Sequence, residues 1–489
     1  MVGVKQGPAS LGRSKDRLDN LVQRFRSATG RLSSIIVTEI NKNNYERLWP
    51  LMMISIKEAS FISIDLELSG LGNFRGKKDI NERYSAIRET ARTYSVVSLG
   101  ISAFKFIKRK ETRMKKRIKF KCQVFNLLTF CMDPFVVEPS SLQFLVGNKF
   151  DLNRLVKEGV SYGLLPNAQG NSLSLLWESI LEQDIPLVFH NGFVDLAFLY
   201  QHFYEDLPEN LSEFITNISD WFSGQRGCLY DSKYFAEYCI RMKASFLEYV
   251  FRKCQRDNAV EASYLRLYVS IEFDDSVSKV FSLMNATEIV DCRLPEGFYE
   301  ADIKINFPSK EERKDICSKY ASYGFCNSRE DCPLLHNVDA VLDNEAMKQS
   351  KIRMRRRRRY EFYSNTDQME ERTEHLSGTS DNEQSDDFKS EELSCDEGWH
   401  YNNKPYLKRS EIGCHRAGVD SFMTGFSLIY MSRMALLRTG KFDAECANKL
   451  PIPGKTIPLI IRKYEHVQKT AEHLERWKPI QSERDKKVY

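Results

Sequence analysis

Apolar and polar positions change period several times along the chain, and each change marks an element. Helical spacing from about Asn41 to Glu58 gives way to Phe61-Ile-Ser-Ile-Asp-Leu-Glu-Leu-Ser69, β-rich text ending in Gly70-Leu71-Gly72, which reads as strand then turn. Two further strands are expected at Tyr94–Ile107 and Ile118–Cys131, so that the first three strands form an antiparallel meander. After Pro139 the period is helical through Leu142–Val146, Leu152–Lys157 and Leu173–Leu181, before Ile185–His190 returns as a short buried strand broken by Asn191-Gly192. Helical text over Asp195–Phe203 and from Asp231 to about Arg256 completes a mixed α/β half. From about Asp257 to Arg409 long apolar periodicity is lost. It resumes as a helix over Ala417–Leu437, and the turn-rich Pro451-Ile-Pro-Gly454 leads to a late strand at Ile457–Ile461.

That pattern predicts a division into a flexible basic lead-in (1–30), a first part of an α/β domain (31–256), a connector (257–310), a Cys/His-rich module (311–340), a basic and acidic linker (341–409), a last domain part (410–465) and a basic tail (466–489). The length of 489 residues supports it, because one hydrophobic core stops growing at roughly 250–300 residues. With 72 Lys and Arg against 67 Asp and Glu, the net charge of +5 excludes a uniformly basic, histone-like chain but not segregated charge. The stretches Ile101–Ile107 and Val124–Val137 are too short or too interrupted to span a bilayer, and the first residues lack the apolar region of a secretory signal, so a reducing compartment is expected. Of the 12 cysteines, Cys122, Cys131, Cys239 and Cys254 stand singly in apolar or helical text, as buried free thiols do.

One subset has metal-ligand spacing. Cys317, Cys326, Cys332 and His336 are separated by eight, five and three residues, and three thiolates with one imidazole are a tetrahedral zinc set in a segment too short to fold alone. The spacing resembles the CCCH zinc fingers, many of which bind single-stranded RNA. Tyr320, Tyr323 and Phe325 lie between the first two ligands, where they either stack unpaired bases or form the finger's own small core.

Carboxylates form a second constellation. Asp65 and Glu67, two apart in a strand, share one face, while Ile64, Leu66 and Leu68 take the other. Asp195 falls in the first turn of a helix after a strand and turn, where a capping role is the ordinary reading. His415 and Asp420 would diverge by about 140° on one helix, which places His415 in a loop and makes Gly418 the turn into a helix presenting Asp420. Four carboxylates and a histidine at element ends suit a two-metal phosphodiesterase, in which two Mg²⁺ or Mn²⁺ ions activate water and the histidine takes its proton.

The stretches Asp65-Leu-Glu-Leu-Ser-Gly-Leu-Gly72, His190-Asn-Gly-Phe-Val-Asp195, Tyr230-Asp-Ser-Lys233 and His415-Arg-Ala-Gly-Val-Asp420 resemble the histidine branch of the DEDD 3′-to-5′ exonucleases, and within it the CAF-type deadenylases. The resemblance runs from roughly Asn41 to Arg462. It implies an RNase H-like mixed-sheet exonuclease fold, here carrying an inserted CCCH finger and a disordered linker. It further implies that Asp65, Glu67 and Asp420 bind the catalytic metal, that Asp195 binds the second, that His415 is the general base and that Asp231 supports the site. All five core positions are filled, and the departures, Leu66 and Cys414, touch none of them. The activity implied is Mg²⁺-dependent removal of 3′ oligo(A) from small nuclear and other non-coding RNAs, with release of 5′-AMP. A non-catalytic RNA-binding adaptor and a DNA exonuclease are the rival readings.

Charge runs complete the picture. The tract Lys351-Ile-Arg-Met-Arg-Arg-Arg-Arg-Arg359 places basic side chains at Lys351, Arg353, Arg355, Arg356, Arg357, Arg358 and Arg359. It is dense enough for nuclear import through an import receptor, and with the family resemblance it points to the nucleus, Cajal bodies or speckles. Between Glu361 and Glu397 thirteen acids face two basic residues, the composition of a disordered linker. Lys105 to Lys121 holds ten basic residues and one acid, and Lys115, Lys116 and Arg117 are candidates for tracking an RNA backbone.

Overall fold

The computed structural model describes residues 32–74, 76–107, 117–163, 172–273, 286–295, 298, 315–328, 331–349 and 415–487. The basic lead-in, Lys115, Lys116, Cys414 and the acidic linker lie outside them. So do all the nuclear-import candidates, Lys351, Arg353, Arg355, Arg356, Arg357, Arg358 and Arg359, and that expectation rests on the sequence alone. The chain divides into two compact units, one of residues up to Leu294 together with those from Ser410 onward, the other Pro295–Arg409.

In the first unit the strands β1 (Ser34–Ile40), β2 (Phe61–Leu68), β3 (Val96–Phe106), β4 (Arg117–Cys131), β5 (Val160–Tyr162), β6 (Leu187–Phe189), β7 (Leu229–Asp231), β8 (Tyr268–Phe273) and β9 (Thr287–Asp291) form one sheet. The order is β7-β6-β2-β3-β4-β1-β9, with β5 and β8 pairing other stretches of the long β4. β2, β3 and β4 are the antiparallel meander expected, while β6 and β7 add to β2 in parallel, giving the mixed α/β class. The helices are α1 (Tyr45–Glu58), α2 (Ile80–Thr93), α3 (Pro139–Gly147), α4 (Leu152–Glu158), α5 (Ser172–Leu181), α6 (Phe193–Phe203), α7 (Leu211–Ile218), α8 (Leu247–Ser263), α9 (Ala417–Met431), α10 (Arg433–Thr439) and α11 (Ala471–Lys486). No helix among the described residues is long and apolar enough to cross a membrane.

The period-two pattern of β2 divides the unit into its two layers. Ile62, Ile64 and Leu66 enter a buried apolar cluster with Leu48, Met52 and Ile56 of α1 and Leu196, Leu199 and Phe203 of α6. Ser63, Asp65 and Glu67 take the other face, which α9 crosses. A stripe of small residues on α9 lets helix and sheet approach: the Ser63 hydroxyl donates to the Ser421 carbonyl at 2.7 Å, the Ser102 and Ser421 hydroxyls meet at 2.8 Å, and a Cβ on Gly425 would lie 2.3 Å from the Phe104 ring.

Several sequence expectations change. The sheet gains β1 and the unit gains α2, both unmarked by the patterning; α2 is a polar helix whose start is set by the Asp79 carboxylate accepting from the Asn81 and Glu82 amides. The domain does not break at 257, because α8 continues to Ser263 and β8 and β9 are sheet strands. The text from Asp231 is interrupted, passing through a π-helical turn at Phe235–Cys239 before α8 begins at Leu247. Most of the expected C-terminal tail is α11, which buries Trp477 and Ile480 in the core and adds polar contacts that hydropathy does not signal. Asp220 accepts from Lys469 Nζ at 2.6 Å and sits 2.9 Å from His473 Nε2, and the Arg484 guanidinium donates to the carbonyls of Leu181 and Trp221. The late strand shrinks to a two-stranded ribbon of β10 (Lys449–Leu450) and β11 (Leu459–Ile460).

The second unit is described over residues 315–328 and 331–349. A short helix, Ser318–Tyr323, ends in Gly324 at φ 77°, and Cys317 N–H donates to the Leu335 carbonyl at 3.1 Å. These contacts fold the segment back on itself.

Candidate active site

The face of the sheet beneath α9 collects the acidic residues. Carboxylate oxygens of Asp65 and Glu67 from β2 and of Asp420 from the first turn of α9 lie within 4.8 Å of one another. His415 precedes the helix, whose N-cap is Arg416 with extended backbone (φ −141°, ψ 116°). The imidazole therefore folds back over the first turn, and its Nδ1 is 3.6 Å from Asp420 Oδ2, a charge contact rather than a hydrogen bond. Gly418 is not the turn that the sequence suggested; it lies inside α9, and the bend is at Arg416. The ring of His415 is half exposed and packs against Phe144 of α3 at 4.6 Å between centroids.

Asp195 stands in the first turn of α6, outside the tight trio, and accepts a hydrogen bond from the Leu66 backbone amide. The turn that delivers it is fixed from below. Asn191 adopts φ 64°, a left-handed conformation that asparagine tolerates better than most residues. Fully buried Asp231, at the end of β7, accepts from Gly192 N–H at 2.9 Å and from the amides of Lys233 and Tyr234 at 2.9 and 3.0 Å. Asp231 thus clamps the start of α6, and its own carboxylate touches no catalytic candidate by hydrogen bond.

The electrostatics of this cluster are those of crowded, buried carboxylates with one imidazole beside them. Burial, then the charges of Asp420, Asp195 and Glu67, holds the Asp65 carboxyl well above its ordinary value. Burial and Asp420 raise Glu67 to about 8, with His415 pulling the other way. Asp195 rises to about 7, chiefly through burial, and Asp231 to about 6 for the same reason, despite its three backbone donors. Burial opposes a charge on His415, but the fields of Asp420, Glu67 and Glu248 outweigh it and lift the imidazole to about 9. Several hard oxygen donors crowded together and reluctant to ionise are the donor set that divalent Mg²⁺ or Mn²⁺ completes.

A family model described as "CAF1 family ribonuclease" matches residues 40–170 and 164–428. The chain belongs to that family. A stretch of 134 residues, a quarter of this chain, is 25% identical to "Poly(A)-specific ribonuclease PARN" of Danio rerio, covering 20% of that protein. The Arabidopsis thaliana protein of the same description is 25% identical over 145 residues, 28% of this chain and 21% of the relative. The match thus spans about a fifth of the length of these curated relatives. Among solved structures, Schizosaccharomyces pombe Pop2p in its Mg²⁺- and Mn²⁺-bound form aligns with 47% of this chain and 90% of its own, at 15% identity and a TM-score of 0.33.

In this CAF1-family chain the sequence pattern does not mark the residues that seat the half-site carried by α9. Glu39, Asn126, Gly100 and Asp65 are consecutive cross-strand partners on β1, β4, β3 and β2. This row receives the start of α9. Glu39 accepts from Arg416 at 2.9 Å, Asn126 Oδ1 accepts from Gly418 N–H at 3.0 Å, and Asn126 Nδ2 donates to Glu39 at 3.1 Å. Arg416 also pairs with Glu288 of β9, donating from Nη1 at 2.7 Å. At Gly100 a Cβ would lie 1.8 Å from the Ala417 carbonyl oxygen, so the absence of a side chain is what lets the helix main chain lie on the strand. A lone glycine inside a strand pattern is the one signal that could have marked this place.

Of the RNA-tracking candidates, Arg117 is engaged across the sheet, donating to Ser270 at 2.8 Å and lying 3.4 Å from Glu272. That pairing accounts for its position on β4 without a ligand. In the other unit Cys317, Cys326, Cys332 and His336 bring their ligand atoms within 4.8 Å of one another. Tyr320 stacks on His336 at 5.0 Å, the structural role among the two considered, whereas Tyr323 and Phe325 are 66% and 57% exposed.

Proposed function

We propose that this protein is a divalent-metal-dependent 3′-to-5′ exoribonuclease that shortens 3′ oligo(A) tails, releasing 5′-AMP. The observation that carries the reading is the convergence of Asp65, Glu67 and Asp420 from strand and helix beside His415. Family membership and the poly(A)-specific activity named for the curated relatives supply the substrate class.

Asp65, Glu67 and Asp420 would hold one cation, and Asp195 a second. Such a pair supplies a hydroxide-like nucleophile and charge stabilisation of the leaving oxygen. His415 Nδ1 faces Asp420, which orients the ring, and with cations neutralising the Asp420 and Glu67 charges that raise it, the imidazole would be free to take the proton of the attacking water. Asp231 acts through the Gly192 amide to hold Asp195 in place. The backbone amide of Leu66 fixes the Asp195 carboxylate, so that strand and helix ends are tied at the reacting centre.

Cys317, Cys326, Cys332 and His336 would hold one structural Zn²⁺, with Tyr323 and Phe325 exposed to stack single-stranded RNA. The inserted finger and the arginine run before the last motif resemble the target of early growth response protein one, which favours nuclear import and small nuclear or other non-coding RNA substrates, in Cajal bodies or speckles.

The deciding experiment incubates the protein with 5′-labelled RNA ending in oligo(A), with mixed-sequence RNA and with DNA, each with Mg²⁺ or Mn²⁺. Stepwise shortening of the oligo(A) end, lost in Asp65→Ala/Glu67→Ala, is expected. An inert wild type that still binds the RNA would instead make the protein an adaptor, and equal turnover of DNA would remove the ribonuclease assignment.

A further inference from the structure

Sequence pattern alone makes Cys239 a solitary buried thiol. In the fold Cys239 is exposed, and its Sγ lies 3.2 Å from that of Cys446, 207 residues away in sequence. Both are free, and neither touches the acidic site described above.

The pair is held from both sides. Cys239 ends the π-helical turn that follows the Asp231 cap, and the amides of Ile240 and Met242 fasten that turn to the carbonyls of Phe235 and Ala236 at 2.9 and 2.8 Å. Cys446 closes a 3₁₀ turn, Ala444–Cys446, next to Asn448, whose backbone N–H donates to the Leu229 carbonyl at 2.7 Å and whose side chain accepts from Leu229 N–H at 2.8 Å. Closing the sulfurs to a covalent separation of about 2.05 Å needs movement of roughly an ångström, within reach of side-chain rotation.

The chemistry is also biased. The hydrogen bond from Cys446, helped by the positive charge of Lys449, lowers the Cys239 thiol below its ordinary value, while the same contact and burial raise Cys446. The exposed sulfur is therefore the thiolate that meets an oxidant, and the buried one resolves.

We propose that Cys239 and Cys446 form a peroxide-responsive dithiol that closes to a disulfide, covalently joining the two parts of the nuclease unit that the insertion separates. The Cys239 thiolate attacks one peroxide oxygen, the O–O bond breaks and the leaving hydroxide is protonated to water. Cys446 then attacks the resulting sulfenic sulfur as its own proton departs, the S–O bond breaks and a second water leaves. Two thiols are oxidised and one hydrogen peroxide is reduced to two waters.

The link would tie the part bearing Asp65, Glu67 and Asp195 to the part bearing His415 and Asp420. Because it closes a loop of 207 residues, it restricts the unfolded chain strongly.

Full-length protein is treated with hydrogen peroxide, alkylated, digested without reductant and mapped by mass spectrometry, in parallel with thermal melts. The expected result is one cross-linked peptide pair containing Cys239 and Cys446, with a rise in melting midpoint of roughly 5 °C or more, both reversed by dithiothreitol and both absent from Cys239→Ser. Cys239 recovered as sulfinic acid, or joined to another cysteine while Cys446 remains alkylated, overturns the proposal. So does a cross-link that leaves the midpoint unchanged. None of these readouts depends on RNA cleavage.

Discussion

Replacing Gly100 with alanine tests whether main-chain contact seats the catalytic half-site. The added Cβ would stand 1.8 Å from the Ala417 carbonyl oxygen, 2.0 Å from its carbon and 2.6 Å from Gly418 N, all backbone atoms that cannot rotate away. Ordinary contact begins at 3.4 Å, so the start of α9 must retreat by about 1.6 Å, or β3 must sink by as much. Retreat breaks the 3.0 Å bond from Gly418 N–H to Asn126 and carries Asp420 and His415 away from Asp65 and Glu67. Overpacking of this kind costs about 1–3 kcal/mol of stability, and misplacement of reacting groups by an ångström costs about 10²-fold in rate. Single-turnover shortening of a 5′-labelled oligo(A) RNA should therefore slow by at least ~10²-fold in Gly100→Ala, while circular dichroism still reports a folded chain. A Gly100→Ala protein that is folded and within threefold of wild-type rate would refute this account of how α9 is placed.

Other outcomes follow from the same geometry. In metal-free protein, Glu67, Asp195 and His415 all keep protons in the folded state that they lose in the unfolded chain at lower pH, so stability falls as pH rises from about 5 to 9. Melting curves should show that decline and should lose most of it when Mn²⁺ is added; a flat metal-free profile contradicts the clustering of charge. Asp231→Ala leaves the Gly192, Lys233 and Tyr234 amides without their acceptor; a loss of about 2–4 kcal/mol in denaturant titration is expected, with a fall in kcat larger than any change in KM. Phe144→Ala removes the ring against which His415 rests, and should reduce the rate several-fold with the acidic limb of the pH–rate profile displaced, whereas Phe144→Tyr should restore both. Elemental analysis should find one zinc per chain, absent from Cys326→Ser.

The meander, the short strand before Asn191 and the helix carrying Asp420 were legible because each has a clear period and a turn residue at its end. The acidic residues were legible as a family pattern more than as geometry: an Asp-x-Glu triplet on a strand is common, and only its company singled it out. What escaped has a shared physical cause. The value of Asn126, Glu39 and Arg416 lies in partners on other strands, and Gly100 matters for the atoms of another segment that come close to it. Neither property leaves a trace in local hydropathy. The docking of α11 escaped similarly, since beside Trp477 and Ile480 its buried face carries the polar His473 and Arg484, with His473 and Lys469 contacting buried Asp220.

The seating of α9 on the sheet has a consequence for how the gene can be cut. The helix is recognised through its own backbone and through Arg416, which reaches Glu288 on β9, the last strand before the chain leaves the unit. Among the described residues, the Arg416–Glu288 pair bridges departure and return, and the groups that contact Arg416, Gly418 and His415 lie in the flanking segments. Two polypeptides, one ending at Leu294 and one beginning at Ser410, are therefore expected to reassemble when co-expressed, and their failure to co-purify as one folded unit would count against this seating.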